Sequence, residues 1–417
     1  MTNPGESENA RWVKRNAWLL LGGQWVSQMG NVCFTVAVYW LVLADTHSRA
    51  DLGLVGAATS ISGLFSVVSG VLVDSWDRRR TMIATDLVRF GLLAGAAWLL
   101  RSPHSPLIFI LSLVAAVNLL GSLFSPAQYA LLPDIVPLES LETINGLDQS
   151  ATALSQWVGY GIGGLAMAAL GAAGLASIDA ATFLVSALTL FGIRTLRNPA
   201  PATSVTSHLP DVGRAIVAGQ RTLWTHPFLK RALPTALVVN LAMMALTVLD
   251  AAWARQQLHG HASLYGLLEG ATVLGAIVGG LVATRLPARW PLTGQIMGAL
   301  ALAGLAMMGM AIYPAAWASL GALGLIGAAF GILNAVMTTT IQQAVPGEVL
   351  GRIGGSLMAV SAVSTPVGAI LAGWAGSILP LPLVYGLAGA LVVVMAFPFL
   401  TVPPQFAVIH AQDEPSA

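Results

Sequence analysis

The sequence has very little charge. Only 9% of its 417 residues are Asp, Glu, Lys or Arg, whereas a soluble protein carries roughly 25%. Apolar residues make up 56%, and the mean hydropathy is +0.76. So few charges cannot cover a water-facing surface, which excludes an ordinary soluble domain and indicates a polytopic membrane protein. The net charge of +1 gives no reason to expect nucleic acid as a partner, and no basic segment suggests one.

Several motifs of enzymes and ATP-driven pumps are also missing. No Walker A sequence is present, so ATP is not the energy source within this chain. A membrane-embedded enzyme would need catalytic groups at membrane depth. The sequence contains no H-E-x-x-H motif, no paired aspartates on facing spans and no histidine inside an apolar segment. We therefore expect neither an enzyme nor a cofactor. The single cysteine, Cys33, cannot form an intramolecular disulfide and is predicted to be a small buried hydrophobe.

Twelve apolar segments follow one another along the chain, each close to the roughly 20 residues that cross the hydrocarbon core. Their apolar runs are continuous and do not alternate, which excludes β-barrel strands. The predicted fold class is therefore an all-α polytopic membrane protein with 12 transmembrane helices. The segments are 17–43, 52–74, 81–101, 106–130, 146–171, 173–193, 230–254, 263–284, 291–312, 315–341, 353–377 and 380–400.

The distribution of positive charge predicts the orientation. With the N-terminus inside, fifteen Lys and Arg residues lie in inner loops and only Arg49, Arg101 and Arg255 in outer ones. This asymmetry places both termini in the cytoplasm and the protein in the cell membrane. The predicted domains are a cytoplasmic arm (1–15), an N-terminal six-helix bundle (16–193), a cytoplasmic linker (194–229), a C-terminal six-helix bundle (230–400) and a cytoplasmic tail (401–417).

The two halves of the chain are related by an offset of 209 residues. The stretch G-V-L-V-D-S-W-D-R-R-R at 70–80 matches G-G-L-V-A-T-R-L-P-A-R at 279–289, although Asp74 is replaced by Ala283. V-P-L-E-S-L-E-T-I-N-G at 136–146 matches V-P-G-E-V-L-G-R-I-G-G at 345–355 with the same offset. This duplication predicts two pseudo-symmetric halves of six helices with a substrate between them near the midplane.

The loop after the second segment resembles that of a known family of membrane proteins. Gly70-x-Leu72-x-Asp74 followed by Arg78 and Arg79 is similar to the loop signature of the major facilitator superfamily, and the likeness extends over about 15–400. The stretch 125–181 resembles the branch of drug:proton antiporters that contains macrolide-efflux proteins and the enterobactin exporter. The resemblance implies that Asp74 latches onto the start of helix eleven, near 352–356, in one access state. Asp74 and the three arginines Arg78, Arg79 and Arg80 are accordingly predicted gating residues.

A glycine-rich run follows in the fifth segment. The family often has a Gly-Pro pair here, but Tyr160 follows Gly159 in this chain. The spacing Gly159-x-x-x-Gly163 still favours a close helix contact.

Uncharged polar residues recur at membrane depth, where they are expensive and usually face a cavity or another helix. The first segment carries four of them at spacings of four, three and four, on one helical face. In the family fold, helices one, four, seven and ten surround the central cavity. An alternative is that these groups only tie helices together by hydrogen bonds. The predicted substrate-cavity residues are Gln24, Gln28, Asn31, Thr35, Asn118, Ser122, Ser125, Asn240, Thr247, Asn334, Thr338 and Gln342.

Charged residues within the segments are rare. Glu269, two turns into the eighth segment, is the predicted proton-coupling residue, with a structural hydrogen bond as the alternative. Asp86 and Arg89 are three residues apart and are expected to form a buried pair near the cytoplasmic gate, where the pair has a gating or a structural role. Four further aspartates, Asp45, Asp148, Asp179 and Asp250, are interpreted as lying close to helix ends, where caps compete with a coupling role.

These features predict a secondary transporter that works by alternating access. The predicted task is proton-driven export of an amphipathic small molecule such as a drug, an antibiotic or a siderophore-like metabolite. Its expected partners are this substrate, protons and the lipid bilayer, with no nucleic acid, and the protein is expected to be a monomer. The alternatives are an uptake symporter or a lipid flippase of the same fold, and a non-transporting membrane protein.

Overall fold

A computed structural model describes residues 4–74, 76–102, 105–193, 229–287, 290–344 and 347–401, and these residues form helices without a strand among them. The predicted all-α class is therefore confirmed. The long helices are α1 Pro4–Thr46, α2 Arg49–Asp74, α3 Arg78–Leu99, α4 Leu107–Ile135, α5 Leu141–Phe191, α6 Leu229–Ala252, α7 Ala262–Ala283, α8 Leu292–Ile312, α9 Ala316–Ala344, α10 Gly347–Ile378 and α11 Leu381–Val394. Short helical turns lie at Leu138–Ser140, Trp253–Gln257 and Phe397–Thr401.

The length and composition of these helices suit a membrane. Within the described ranges, ten helical stretches are long and apolar enough to cross one. One of them, Leu138–Phe191, has 54 residues, more than twice the roughly 20 that a single crossing requires. The polytopic membrane class is confirmed, and the count of twelve spans stays a prediction.

The helix α5 consists of two straight parts that meet at Gly171. The backbone of this glycine has φ 66° and ψ −178°, a combination that is open essentially only to glycine and that costs other residues about 1–3 kcal/mol. The break lies at the predicted boundary between the segments 146–171 and 173–193. The conformation of Gly171 therefore separates the two parts of α5 at that boundary.

The predicted domain boundaries lie partly outside the described residues. The linker 194–229, apart from Leu229, and the tail 401–417, apart from Thr401, are not covered. The helix α1 begins at Pro4, inside the predicted arm 1–15. The two predicted six-helix bundles stay predictions.

Contacts between residues divide the chain into two compact units. Unit 1 comprises the described residues of 1–207 and 254–270, and unit 2 those of 208–253 and 271–417. The short stretch 254–270, which we call the 254–270 segment, runs from the turn after α6 into the first half of α7. By its contacts this segment belongs to the same unit as α1 to α5.

Unit 1 is held together by the packing of α1 and α3 against α5 and of α2 against α4. Its apolar core includes Leu20 of α1, Met82 of α3 and Phe124 of α4, all buried. Cys33 is free and buried, as predicted, and its thiol donates to the backbone oxygen of Gly159 at 3.2 Å. The core therefore brings α1, α3, α4 and α5 together around the polar groups described below.

Glycines of α5 permit close approach on two of its faces. A Cβ atom at Gly159 would lie 2.9 Å from Cβ of Val32, and one at Gly163 would lie 2.9 Å from Cα of Cys33, so both glycines face α1. A Cβ atom at Gly164 would lie 2.6 Å from the backbone oxygen of Ala262. The predicted Gly159-x-x-x-Gly163 contact is thus found, and the next glycine faces the 254–270 segment.

In unit 2, α6 packs against α10 and α11, and α8 packs against α9 and α11. The helices α7 and α9 meet through four glycines, two from each helix. A Cβ atom at any of them would collide with a backbone carbonyl oxygen of the other helix. These glycines are Gly275, Gly279, Gly327 and Gly331. The backbones therefore touch, which is how small residues bring transmembrane helices together.

Candidate functional site

The polar stripe predicted on α1 takes part in contacts inside unit 1. All four residues are half-buried. The amide of Gln24 donates to the hydroxyl oxygen of Ser186 in α5 at 3.1 Å, and the hydroxyl of Thr35 donates to the backbone oxygen of Asn31 at 2.9 Å. A bond between helices, the alternative interpretation of the stripe, is therefore present at Gln24. Cavity lining by the four residues stays a prediction.

Two polar residues of α4 form hydrogen bonds within their own helix. The amide of Asn118 donates to the backbone oxygen of Val114 at 2.9 Å, and the hydroxyl of buried Ser122 donates to that of Leu119 at 2.7 Å. Both bonds lie within α4. Ser125, in contrast, is exposed within unit 1.

In unit 2, Asn240 of α6 joins α10. Its amide donates to the hydroxyl oxygens of Ser361 at 3.2 Å and Ser364 at 3.5 Å. Thr247 is half-buried, whereas Asn334 and Thr338 of α9 are exposed within their unit. For Gln342, and likewise for Asp74 of α2, the structure describes helical backbone and not the side chain.

The three consecutive arginines have different surroundings. Arg78 pairs with Asp134 of α4 at 2.7 Å and also donates to the backbone oxygen of Ala130. Arg79 donates to the last backbone oxygens of α5, those of Leu190 at 2.8 Å and Phe191 at 2.7 Å. These bonds join the start of α3 to the ends of two helices, and the cation suits a helix C-terminus.

Arg80 differs from its two neighbours. Its backbone N–H donates to the carboxylate of Asp77, the N-cap of α3, at 2.8 Å. Its side chain forms no ion pair with any residue that the structure describes. Arg80 instead lines an open cavity of about 570 Å³ between α3 and α4. None of the predicted substrate-cavity residues lines this space, so it is distinct from the predicted central cavity.

A buried ionic cluster lies where α1, α3, α4 and α5 meet. Arg89 lies 4.0 Å from the Asp86 carboxylate, so the predicted pair is present. The hydroxyl of Ser186 donates to the other oxygen of Asp86 at 2.6 Å. The guanidinium of Arg89 also donates to the backbone oxygen of Val117 at 3.1 Å and lies 4.9 Å from the ring centre of Phe183.

Asp179 belongs to the same cluster, and its interpretation as a residue near a helix end is wrong. Asp179 lies inside the second part of α5, eight residues after Gly171 and twelve before the last residue, Phe191. Its side chain is fully buried and interacts electrostatically with Arg89. The spacing of Asp179, Thr182 and Ser186 by three and four residues places all three on one face, which is the signal that sequence inspection missed.

Glu269 lies in unit 1, in the first half of α7. Its side chain is only 7% exposed. It interacts electrostatically with Tyr39 of α1, a buried phenol that is hydrogen-bonded to Thr59 of α2. The 254–270 segment also contacts these helices through Gln256, whose side-chain oxygen accepts from Arg49 at 2.7 Å. Glu269 is therefore a buried acid among α1, α2 and α7.

A further buried acid lies in unit 2. The phenol of Tyr385 in α11 donates to the Asp250 carboxylate at 2.6 Å. The ring of Trp253 packs 4.7 Å from that of Tyr385, and its indole N–H donates to the hydroxyl oxygen of Ser319 at 3.0 Å. Asp250 lies two residues before the end of α6, so it is close to a helix end, as predicted. The arrangement joins α6, α9 and α11.

Comparison with known proteins identifies the class. The profile of the family described as transmembrane secretion effector matches residues 13–415. The multidrug efflux pump Tap of Mycobacterium tuberculosis (strain ATCC 25618 / H37Rv) is 25% identical over 370 residues, which cover 86% of each chain. Tap of Mycolicibacterium fortuitum is 26% identical over 371 residues, 85% of this chain and 88% of that protein.

A solved structure extends the comparison to the fold. The nucleoside transporter NupG matches with a TM-score of 0.76 over 93% of this chain and 98% of its own, at 12% identity. At that identity the likeness concerns the fold alone.

The fold and its relatives define a multi-pass membrane transporter of the efflux kind with a small-molecule substrate. The chain belongs to the transmembrane secretion effector family of the major facilitator superfamily. The predicted resemblance to efflux members of that superfamily is thereby confirmed. Because the family and the relatives are transporters, they fit the prediction that the chain is not an enzyme.

Proposed function

We propose that this protein exports amphipathic small molecules through the cell membrane in exchange for protons, by alternating access. The main support for the export of such compounds is the alignment of this chain with a multidrug efflux pump over 86% of both chains. The missing Walker A sequence supports an ion gradient as the energy source. We further propose a monomer with both termini in the cytoplasm, on the basis of the charge asymmetry of its loops.

The substrate contacts are assigned to the uncharged polar residues of α1, α4, α6 and α9. Two pairs among them, Asn31 with Asn240 and Ser125 with Asn334, are related by the offset of 209 residues. Ser125 and Asn334 are exposed within their own units, as contact with a ligand would require. A cavity with neutral polar groups suits amphipathic compounds better than highly charged nutrients, which favours export of the former over nutrient uptake.

Gating is assigned to the loop before α3 and to its charged partners. The bonds of Arg78 to Asp134 and of Arg79 to the end of α5 join three helices into one block that can move together. Asp74 would latch this block to the start of α10, which contains the eleventh predicted segment. The Asp86–Arg89 pair is assigned to the same gate.

Proton coupling is assigned to Glu269. A carboxyl group that is 7% exposed inside an apolar helix has an unfavourable charged form unless water or a partner reaches it. Its protonation would therefore depend on which side of the protein is open, which is the property that exchange requires.

The assignment predicts a loss of efflux in Glu269→Gln. Cells that lack their own pumps would express the wild type or a variant and be loaded with a panel of fluorescent amphipathic compounds, ethidium among them. We expect wild type to lower accumulation of at least one compound, and a protonophore to abolish this effect. Glu269→Gln is expected to remove roughly nine-tenths of the efflux at unchanged protein level, because a side-chain amide cannot take up and release a proton as a carboxyl group does.

Two further variants control this measurement. Glu269→Asp keeps the carboxyl group and is expected to retain part of the efflux, whereas Glu139→Gln, a matched change at an exposed turn, is expected to retain it fully. Full efflux by Glu269→Gln would remove this residue from the mechanism. Efflux that persists in the presence of protonophore would contradict proton coupling, and increased accumulation in wild type would indicate uptake instead.

A further inference from the structure

The ionic cluster of unit 1 contains more acid than base. Asp86 is 1% exposed, Asp179 is 0% exposed, and the guanidinium of Arg89 interacts with both. The neighbouring side chains of α1 are the neutral Gln24 and Cys33, together with Gly30. The hydroxyls of Thr182 and Ser186 come from α5, and α4 contributes a backbone oxygen and Gly121. With both acids ionised, the described cluster has a net charge of −1.

An uncompensated charge at this depth is costly, by several kcal/mol even after relaxation. Binding of one proton makes the cluster neutral, with one carboxylate and one guanidinium. The proton then has two possible sites, and the hydrogen bonds distinguish them.

The bonds of Asp86 suit an anion. One of its oxygens accepts the hydroxyl hydrogen of Ser186 at 2.6 Å, and the other faces Arg89 at 4.0 Å. A short bond to an ionised acceptor of this kind is among the stronger hydrogen bonds in proteins. Asp86 is therefore the compensated carboxylate.

Asp179 is less well compensated. The single hydroxyl hydrogen of Thr182 is directed at the backbone oxygen of Asp179 at 2.7 Å, which leaves only a long contact of 3.3 Å to Oδ1. Its Oδ2 is buried and has no hydrogen-bond partner among the described residues. A Cβ atom at Gly30 of α1 would lie 2.8 Å from Oδ1, so α1 closes the site from that side.

The guanidinium of Arg89 lies directly against α4 at Gly121. The Cζ atom of Arg89 lies 3.3 Å from where a Cβ atom at Gly121 would be, and one of its terminal nitrogens would overlap that atom. Glycine at 121 thus leaves room for the guanidinium in this position beside α4, one of the helices to which we assign substrate contacts. From this position Arg89 interacts electrostatically with both carboxylates.

The second half of the chain has no charged residues at the positions that correspond to this cluster. At the offset of 209 residues, Asp86, Arg89 and Asp179 correspond to Gln295, Gly298 and Ala388. Helix packing alone therefore gives no reason for the three charges, and apolar replacement of a buried ion pair is often neutral or stabilising. A role in transport explains why one half keeps them.

We propose that Asp179 is a second proton-binding site of the transporter, with Arg89 alternating between Asp86 and Asp179. When Asp179 is protonated, Arg89 pairs with Asp86. When the O–H bond of Asp179 breaks and the proton leaves to water, the new carboxylate takes Arg89 as its counter-ion, and Asp86 keeps its bond to Ser186. The step transfers one proton and involves no oxidant, reductant or other reactant. It rests on the proposed proton-coupled export.

The test uses the full chain, purified and reconstituted in phospholipid vesicles, with the compound that wild type exports best. Uphill transport under a proton gradient and exchange of the compound at equal pH are measured separately. We expect Asp179→Asn to lose roughly tenfold or more of uphill transport and to keep exchange within a few-fold, because only the driven step needs the proton. Asp179→Glu, which keeps a carboxyl group, is expected to restore part of the uphill transport.

The matched control is Asp45→Asn, the same chemical change at an exposed aspartate of α1, which is expected to change neither rate. Uphill transport by Asp179→Asn at the wild-type rate would overturn this inference and leave the proposed function in place. If wild type itself does not respond to the gradient, the proposed function fails. The two failures are therefore distinguishable.

A second measurement applies if Asp179→Asn does not fold. Infrared spectra of wild type and Asp179→Glu in membranes report protonated carboxyl groups directly. A protonated-carboxyl band whose frequency differs between the two proteins, and which disappears on alkalinisation, is the expected result. Identical carboxyl bands in the two proteins would overturn the inference.

Discussion

Replacement of Gly164 by alanine is expected to abolish most of the efflux. A Cβ atom at this position would lie 2.6 Å from the backbone oxygen of Ala262 and 3.0 Å from Cα of Ser263. Both are backbone atoms, so the clash cannot be relieved by a side-chain rotation and must separate α5 from the 254–270 segment. Overpacking of this kind costs about 1–3 kcal/mol, and we expect efflux to fall roughly tenfold.

The opposite side of the same contact offers an independent test. A Cβ atom at Gly266 would collide with the backbone oxygen of Tyr160 and lie 3.0 Å from Cα of Gly164. Gly266→Ala is therefore expected to have the same effect as Gly164→Ala.

The control for both is Gly161→Ala in α5, where nothing lies within 4 Å of the added atom. Efflux of the labelled compound is measured in cells with matched protein levels. Equal efflux by Gly161→Ala and Gly164→Ala would contradict the importance of this contact.

Replacement of Gly327 by alanine is expected to destabilise unit 2. A Cβ atom there would collide with the backbone oxygen of Thr272 and lie 3.0 Å from the backbone nitrogen of Ala276 in α7. Since α7 and α9 touch along two turns, the helices would have to move apart. We expect a loss of about 2 kcal/mol and a fall in Tm of roughly 5 °C.

Thermal unfolding of purified protein in detergent measures this effect. Gly321→Ala is the matched control, because it lies on the same helix with nothing within 4 Å of the added atom. Its Tm is expected to stay close to that of wild type. If Gly327→Ala unfolds at the same temperature as Gly321→Ala, the close contact of α7 and α9 is not what stabilises this unit.

Local sequence signals predicted those features of the fold that depend on neighbouring residues. Continuous apolar runs predicted membrane-spanning helices, because backbone groups in hydrocarbon must bond within their own helix. The boundary near 171–173 was predicted from the length of the apolar segments, and the backbone conformation of Gly171 accounts for it. The helix contact through Gly159 and Gly163 was also predicted, since only small residues allow such an approach.

The ionic cluster could be predicted only in part. Asp86 and Arg89 are close in sequence, and their pairing follows from helical spacing. Asp179 and Ser186 are about 100 residues away, and their position depends on how α3 packs on α5, which no local pattern specifies. The predicted segment 173–193 already contains Asp179, but no local pattern shows that this position is fully buried. The contact of the 254–270 segment with α5 was missed for the same reason.

The polar stripe on α1 shows a second limit. The spacing of Gln24, Gln28, Asn31 and Thr35 predicts that they share one helical face, but a face can contact a neighbouring helix and a cavity at different heights. Gln24 bonds to Ser186 across the helix interface. Helical periodicity predicts the direction of a side chain and cannot tell which neighbour it meets.

Transport by inside-out membrane vesicles tests the central claim most directly. Respiration acidifies the lumen of such vesicles, and an exporter that exchanges protons for substrate carries the compound into the lumen. We predict that vesicles with wild-type protein accumulate the compound above its outside concentration, that its addition raises the lumenal pH, and that a protonophore abolishes both effects. Accumulation no greater than in vesicles without the protein, or accumulation that a protonophore leaves unchanged, would contradict proton-driven export.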